Sequence, residues 1–284
     1  MIPHELLRRF LAEDSPYGDV TTDAIIPKTD AMAAIIARET GVIAGVAEAV
    51  FLFAECGAEA RPLTLDGAWV DPGQQIIDIS GGVHGILLAE RTVLNLMGRM
   101  SGIATATRRF SALIDSVIPG ARIAGTRKTA PGLRFFDKKA IMIGGGDPHR
   151  NSLSDAVLIK DNHLALVGIK EAIKRAREVS QYRVIEIEVE TPEDAVTAAS
   201  AGADVLLLDN MDAETIIKTI QILKDAGIRD HVKVEISGNI TPANAGSYAG
   251  CEVDIVSSGW LTHSVRNFDL SLEMRMAVQT IEIG

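Results

Sequence analysis

Residues 203–238 read ADVLLLDNMDAETIIKTIQILKDAGIRDHVKVEISG. An apolar run at 205–208 ends in Asp209-Asn210. A stretch with helical spacing comes next, and a second apolar run ends in Glu235 and Ser237-Gly238. The pattern is strand, helix, strand, with polar groups delivered where each strand stops. It recurs on both sides. AVLIKD (156–161) precedes LVGIKEAIKRAREVSQY, and RVIEIEVE (183–190) precedes TPEDAVTAASAG, where Thr191 suits an N-cap and Pro192 the first helical position. ARIAGT (121–126) opens the series, HVKVEISG (231–238) leads into TPANAGSYAG, read as another helix, and CEVDIVSSG (251–259) closes it. Repetition at this pitch predicts βαβ units and a parallel sheet. Six or seven strands favour an incomplete barrel. No G-x-G-x-x-G turn comes after a strand, which argues against a doubly wound dinucleotide fold.

In a parallel barrel the site lies at the carboxyl ends of the strands. Here those ends read Arg127-Lys128, Lys160-Asp161-Asn162, Glu188 with Glu190, Asp209-Asn210, Glu235 with Ser237-Gly238, and Ser257-Ser258-Gly259. Charge sorts along the chain. Residues 122–160 hold eight Arg or Lys against three acids, with His149 besides, whereas Glu186, Glu188, Glu190, Asp209 and Glu235 come later. The first set suits a multiply anionic molecule, with Arg matching carboxylates in a bidentate fork and Lys meeting phosphate as a point charge. The second suits Mg²⁺, which takes one or two carboxylates plus substrate phosphates, or sugar hydroxyls. The Ser-Gly pairs 237–238 and 258–259 suit a phosphate. These features together point to an enzyme acting on a phosphorylated sugar and a carboxylate-bearing partner.

The 284-residue chain is acidic, with net charge −10, so the cation cluster is local and general nucleic-acid binding is not expected. No apolar run reaches the roughly 20 residues of a membrane helix. Cys56 and Cys251 fit no metal or disulfide spacing and read as small buried apolar residues. The opening MIPHELLRRFLAED reads as a short amphipathic helix rather than a signal peptide, consistent with a cytoplasmic location. Residues 85–114 carry helical spacing, as one long helix or as two with a break near Ser101-Gly102.

Eight stretches then become specific: GDVTTDAIIP (18–27), AERTVLNLMGRMSGIAT (89–105), GTRKTAPGLR (125–134), GGGDPHR (144–150), DAVLIKDNH (155–163), IEVE (187–190), LLLDN (206–210) and SSGWLTHS (257–264). In order and over almost the whole chain, they resemble the quinolinate phosphoribosyltransferases. The resemblance implies an α/β fold: an N-terminal α/β sandwich-like domain at 1–105, completed by about 267–284, and an incomplete (β/α) TIM-like barrel at 106–266. It implies transfer of phosphoribose from 5-phosphoribosyl 1-pyrophosphate to quinolinate with Mg²⁺. The products would be nicotinate mononucleotide, pyrophosphate and CO2. Arg127, His149, Arg150 and Lys160 would form the ring-carboxylate and pyrophosphate pocket, lined by Thr126 and Lys128. Arg91 would be donated across a homodimer or larger assembly into the neighbour's site. Glu188 and Asp209 would stand near the ribose hydroxyls and Mg²⁺, the metal held directly or through water, with Lys160 assisting electrostatically. Ser237, Gly238, Asn239, Ser258, Gly259 and Trp260 would cradle phosphate. A paralogue associated with molybdenum transport and a non-catalytic phosphometabolite sensor are the competing readings. The intact KDNH segment argues against the first, and the presence of both Glu188 and Asp209 against the second.

Overall fold

The computed structural model describes residues 3–275, which separate into two compact units, one built from residues up to 105 together with those from 265 on, the other from 106–264. The first unit starts with helices α1 (His4–Asp14) and α2 (Val20–Ile25), the latter capped by Asp19, whose carboxylate accepts the Thr21 and Thr22 N–H groups. Strand β1 (Asp30–Ala37) and the two-residue β2 (Gly41–Val42) lead to helix α3 (Val46–Glu55) and strands β3 (Ala58–Pro62), β4 (Trp69–Val70) and β5 (Gln75–Gly82). β1, β5 and β3 pair antiparallel, and the buried faces of Ile35, Ile77, Ile79, Leu52 and Phe53 form the core of this unit.

Helix α4 runs unbroken from Val83 to Val117. The expected alternative, a break at Ser101-Gly102, is not realised. The pair serves close approach instead. Ser101 Oγ accepts the Ala44 N–H at 2.9 Å, and a Cβ on Gly102 would stand 2.2 Å from the Arg266 carbonyl oxygen. A small residue inside a helix can therefore mark packing against backbone as readily as a bend.

The second unit contains β6 (Arg122–Ala124), α5 (Arg134–Ile143), β7 (Val157–Ile159), α6 (Asp161–Leu164), α7 (Ile169–Val179), β8 (Ile185–Val189), α8 (Pro192–Ser200), β9 (Val205–Asp209), α9 (Ala213–Asp225), β10 (Lys233–Ser237), β11 (Ile255–Ser257) and α10 (Trp260–His263). All six strands are parallel, in the order β6-β11-β10-β9-β8-β7, so the barrel is left open between β6 and β7. A single parallel bridge, Ala124 to Asp147, continues the sheet beyond β6. The chain at 147–150 thus enters the barrel mouth as the stub of a missing strand. Thr191 and Asp212 cap α8 and α9 as their chemistry dictates, each accepting an N–H three residues on. The helix expected at 241–250 is only a 3₁₀ turn, Ala245–Tyr248; Pro242, Gly246 and Gly250 leave too few helix formers for more. Cys251 is buried as expected, whereas Cys56 is partly exposed. After α10 the chain returns to the first unit as β12 (Leu270–Arg275), which pairs antiparallel with β1. Residues 276–284 of the expected completing segment lie outside the described residues. No described helix is long and apolar enough to cross a membrane.

Candidate active site

Alternation along the parallel strands decides what faces the barrel interior. Side chains two apart share a face. The register pairs Leu158 with Glu186, Glu188 and Glu235 with Leu207, and Ser237 with Asp209, so these residues stand on one face. The other face carries Ile185, Ile187, Val189, Leu206, Leu208, Val234 and Ile236, all at most 1% exposed. Both faces are buried, yet one is aliphatic and the other polar. Burying carboxylates costs several kcal/mol each without partners, so the polar face must be held by specific contacts.

That face lines a pocket of about 330 Å³ at the carboxyl ends of the strands. Thr126, Arg127, Lys128, His149, Arg150, Lys160 and Asp209 all reach it. Among the described residues, no ion pair engages Arg127, Lys128 or Arg150, and the buried Nε of Arg127 has no hydrogen-bond partner. Three cations without partners in one concavity form an anion site. Burial and the neighbouring Arg127 hold the Arg150 pKa below its ordinary value. Lys160 is the exception among these cations: its Nζ lies 2.7 Å from Glu188 Oε2, and Glu188 is 8% exposed. Glu188 thus stands beside the mouth with its charge matched by Lys160.

His149 faces inward at the floor. Its Nε2 lies 3.3 Å from Glu186 Oε2 and 3.5 Å from Glu235 Oε2. Burial alone would strip the ring of its proton. The two hydrogen-bonded carboxylates outweigh burial and raise the pKa to about 10. The Arg150 N–H opposes full protonation, because it meets Nδ1 at 2.8 Å and needs a lone pair there. Both influences leave a proton on Nε2, directed at the carboxylates. Below the turn, Lys138 is 2% exposed and donates to the Pro148 carbonyl; burial and the nearby Arg134 lower its pKa to about 8.

Models of known families match both parts of the chain. The quinolinate phosphoribosyl transferase N-terminal domain matches residues 19–101, and the C-terminal domain matches residues 103–273. The chain belongs to the quinolinate phosphoribosyl transferase family. A Methanothermobacter thermautotrophicus protein named "Probable nicotinate-nucleotide pyrophosphorylase", carboxylating, is 46% identical over 274 residues, 95% of this chain and 98% of the relative. The carboxylating nicotinate-nucleotide pyrophosphorylase of Mycobacterium leprae is 39% identical, with 95% and 96% covered. The solved nicotinate-nucleotide pyrophosphorylase of Francisella tularensis superposes with a TM-score of 0.89 at 33% identity, with 97% and 98% covered.

The quinolinate phosphoribosyl transferase residues expected around phosphate gather at a second hollow of about 70 Å³, lined by Lys128, Ser237, Gly238, Asn239, Gly259, Trp260 and His263. Ser258 is not among them. It is 2% exposed, donates to the Ile240 carbonyl at 2.5 Å and accepts the Trp260 N–H, so it ties two loops together beneath the hollow. Among the described residues, three that are not glycine have left-handed backbone, His149, Asn210 and Asn239, and all three stand at this rim. Strain gathered at one rim fits a functional edge. Gly238 lies between two of them at φ 107, where a Cβ would stand 2.3 Å from Asn210 Oδ1. Arg134, beyond the Pro131-Gly132 turn, binds Thr129 Oγ1 and the Asn151 carbonyl and is structural. His163 of the KDNH segment caps α6: its Nδ1 accepts the Lys160 N–H at 2.9 Å. Arg91 is exposed on α4. Sequence reasoning placed Glu186 and Glu235 with the cation-binding acids, and the link to His149 gave no signal there, because it joins residues far apart in the chain.

Proposed function

We propose that the protein transfers phosphoribose from 5-phosphoribosyl 1-pyrophosphate to the ring nitrogen of quinolinate, with loss of CO2, giving nicotinate mononucleotide and pyrophosphate for NAD synthesis. The observation that carries the reading is the set of unpaired cations, Arg127, Lys128 and Arg150, in one pocket at the carboxyl ends of a parallel barrel. The names of the relatives support the same reaction. Arg127 and Arg150, on the wall held by His149, take the two ring carboxylates. Thr126 and Lys128 line the approach to the small hollow where Ser237, Gly238, Asn239, Gly259 and Trp260 receive the sugar phosphate.

The ring nitrogen attacks the anomeric carbon as pyrophosphate leaves. The oxocarbenium-like transition state favours carboxylates nearby, and Asp209, half-buried and open to the pocket, is placed to supply one. Glu188 and Asp209 fit Mg²⁺, since they end adjacent strands on the same face and the metal takes one or two carboxylates. When bound, Mg²⁺ neutralises charge on the leaving pyrophosphate. Lys160, now paired with Glu188, turns to the substrate anions as that carboxylate is engaged, and eases charge development during decarboxylation. We take the active form to be a homodimer or larger assembly in the cytoplasm, with the exposed Arg91 serving a neighbouring subunit.

The test is to incubate the protein with quinolinate, phosphoribosyl pyrophosphate and Mg²⁺, tracking nicotinate mononucleotide and CO2. Absence of both products rejects the reading. For the assembly, inactive Arg91→Ala and inactive Arg127→Ala should regain part of the activity when mixed. No recovery after verified subunit exchange rejects the shared site.

A further inference from the structure

Glu186 and Glu235 take no part in this reaction scheme, yet they are among the most deeply buried charges of the barrel, 4% and 2% exposed. They come from β8 and β10, which are separated by β9. Their Oε2 atoms nevertheless converge on one proton, at His149 Nε2. The opposite ring nitrogen accepts the Arg150 N–H. The His149 backbone is left-handed, at φ 56, a conformation that costs a β-carbon residue on the order of 1 kcal/mol and persists only when the surroundings fix it. Asp147 Oδ1 fixes it from below, accepting the His149 N–H at 2.7 Å, and the ring contacts fix it from above. No ion pair engages the Arg150 side chain among the described residues, so the backbone on which it stands sets its aim.

We propose that Glu186 and Glu235 are positioning residues for the dicarboxylate substrate. By gripping the His149 ring, they lock the turn at 147–150 and hold the Arg150 guanidinium toward the pocket. This rests on the reading that the pocket takes quinolinate. The three ligating atoms lie within 4.8 Å of one another, close enough to share a metal ion. Arg150 and Arg127 line the same pocket and oppose a further cation there; the Nε2 proton serves the two Oε2 atoms, while the buried Glu186 Oε1 has no hydrogen-bond partner.

The test compares Glu186→Gln and Glu235→Gln in the wild-type and Arg150→Gln backgrounds, in the full-length protein with Tm recorded. In the wild-type background each should raise KM for quinolinate about tenfold, with kcat changed less than about threefold. In the Arg150→Gln background neither should raise KM further, since the residue they act through is gone. Equal rises in both backgrounds, or a fall in kcat with KM unchanged, overturn the proposal. A readout independent of turnover keeps it testable if the variants unfold or if the wild type converts no quinolinate. The Nε2 proton of His149 should give a slowly exchanging, low-field NMR signal in the wild type, assigned by its loss in His149→Gln. Absence of that signal overturns the grip itself. Its presence in an inactive wild type leaves the grip standing while the functional reading falls.

Discussion

The two ends of the same parallel sheet treat charge in opposite ways. At the amino ends, cations and acids pair with each other. Arg177 meets Asp204 at 2.8 Å and Arg229 meets Asp254 at 2.9 Å; Asp204 also accepts the Ile185 N–H and Asp254 the Val234 N–H. The same staple is thus built twice, in alternate βα units, with Lys233 added to the second. The depression there is larger, about 650 Å³, but its charges are largely spoken for. At the carboxyl ends, Arg127, Lys128 and Arg150 have no acid to pair with among the described residues, and the buried acids are given to His149 and Lys160 instead. Size does not mark the site. Unmatched charge does.

The strongest way to break this contrast is at the unmatched end. Arg150→Ala or Arg127→Ala should lower kcat/KM for quinolinate by on the order of 10³-fold, with Tm within a few degrees of wild type, because neither side chain holds an ion pair among the described residues. Steady-state kinetics with thermal melts checks this.

Next in size is pH. His149 has a raised pKa in the folded state, about 10 against an ordinary value near 6.5. The charged part of its grip therefore contributes fully below about pH 6.5 and is lost as pH rises toward 10, while the Nε2–H contact of the neutral ring remains. Denaturant titrations should show wild type more stable than His149→Gln by about 2–4 kcal/mol at pH 6, the gap narrowing toward pH 10. Lys138, lowered to about 8, runs the other way: its burial as an ammonium costs stability below that pH, and the cost disappears as pH climbs from 8 to 10.5. Lys138→Met should flatten that rise.

The smallest effect lies at the matched end. Asp254 is half-buried, and although burial pushes its carboxyl up, Lys233, the Val234 N–H and Arg229 together hold it below the ordinary carboxylate range. Asp254→Asn should cost about 1–2 kcal/mol at neutral pH, an advantage the wild type loses on acidification through its own carboxyl pKa. Turnover per folded molecule should be unchanged.

The carboxyl rim was legible in the sequence because strand ends are local: an apolar run and the polar residues that end it occupy one stretch of chain. The sequence also grouped Glu186, Glu188 and Glu190 among the later acids of the rim. It did not say how deep each would sit. Glu186 and Glu188 are buried and Glu190 is exposed. Depth depends on where the strand enters the barrel and on which distant residue meets it, here His149 on the stub of a missing strand. Ser258 misled for a related reason. Its Ser-Gly context suits phosphate, but the hydroxyl is drawn under by the Ile240 carbonyl of another loop. Lys138 reads as one more cation of the cluster, and only packing beneath Pro148 turns it into a buried brace.

The central claim is that the unmatched cations await two carboxylates rather than one. It is tested most directly by comparing kcat/KM for quinolinate and nicotinate with the same purified protein and Mg²⁺. A preference for quinolinate of at least about 10³-fold is expected, and it should collapse in Arg150→Gln. Equal use of the two substrates would contradict it.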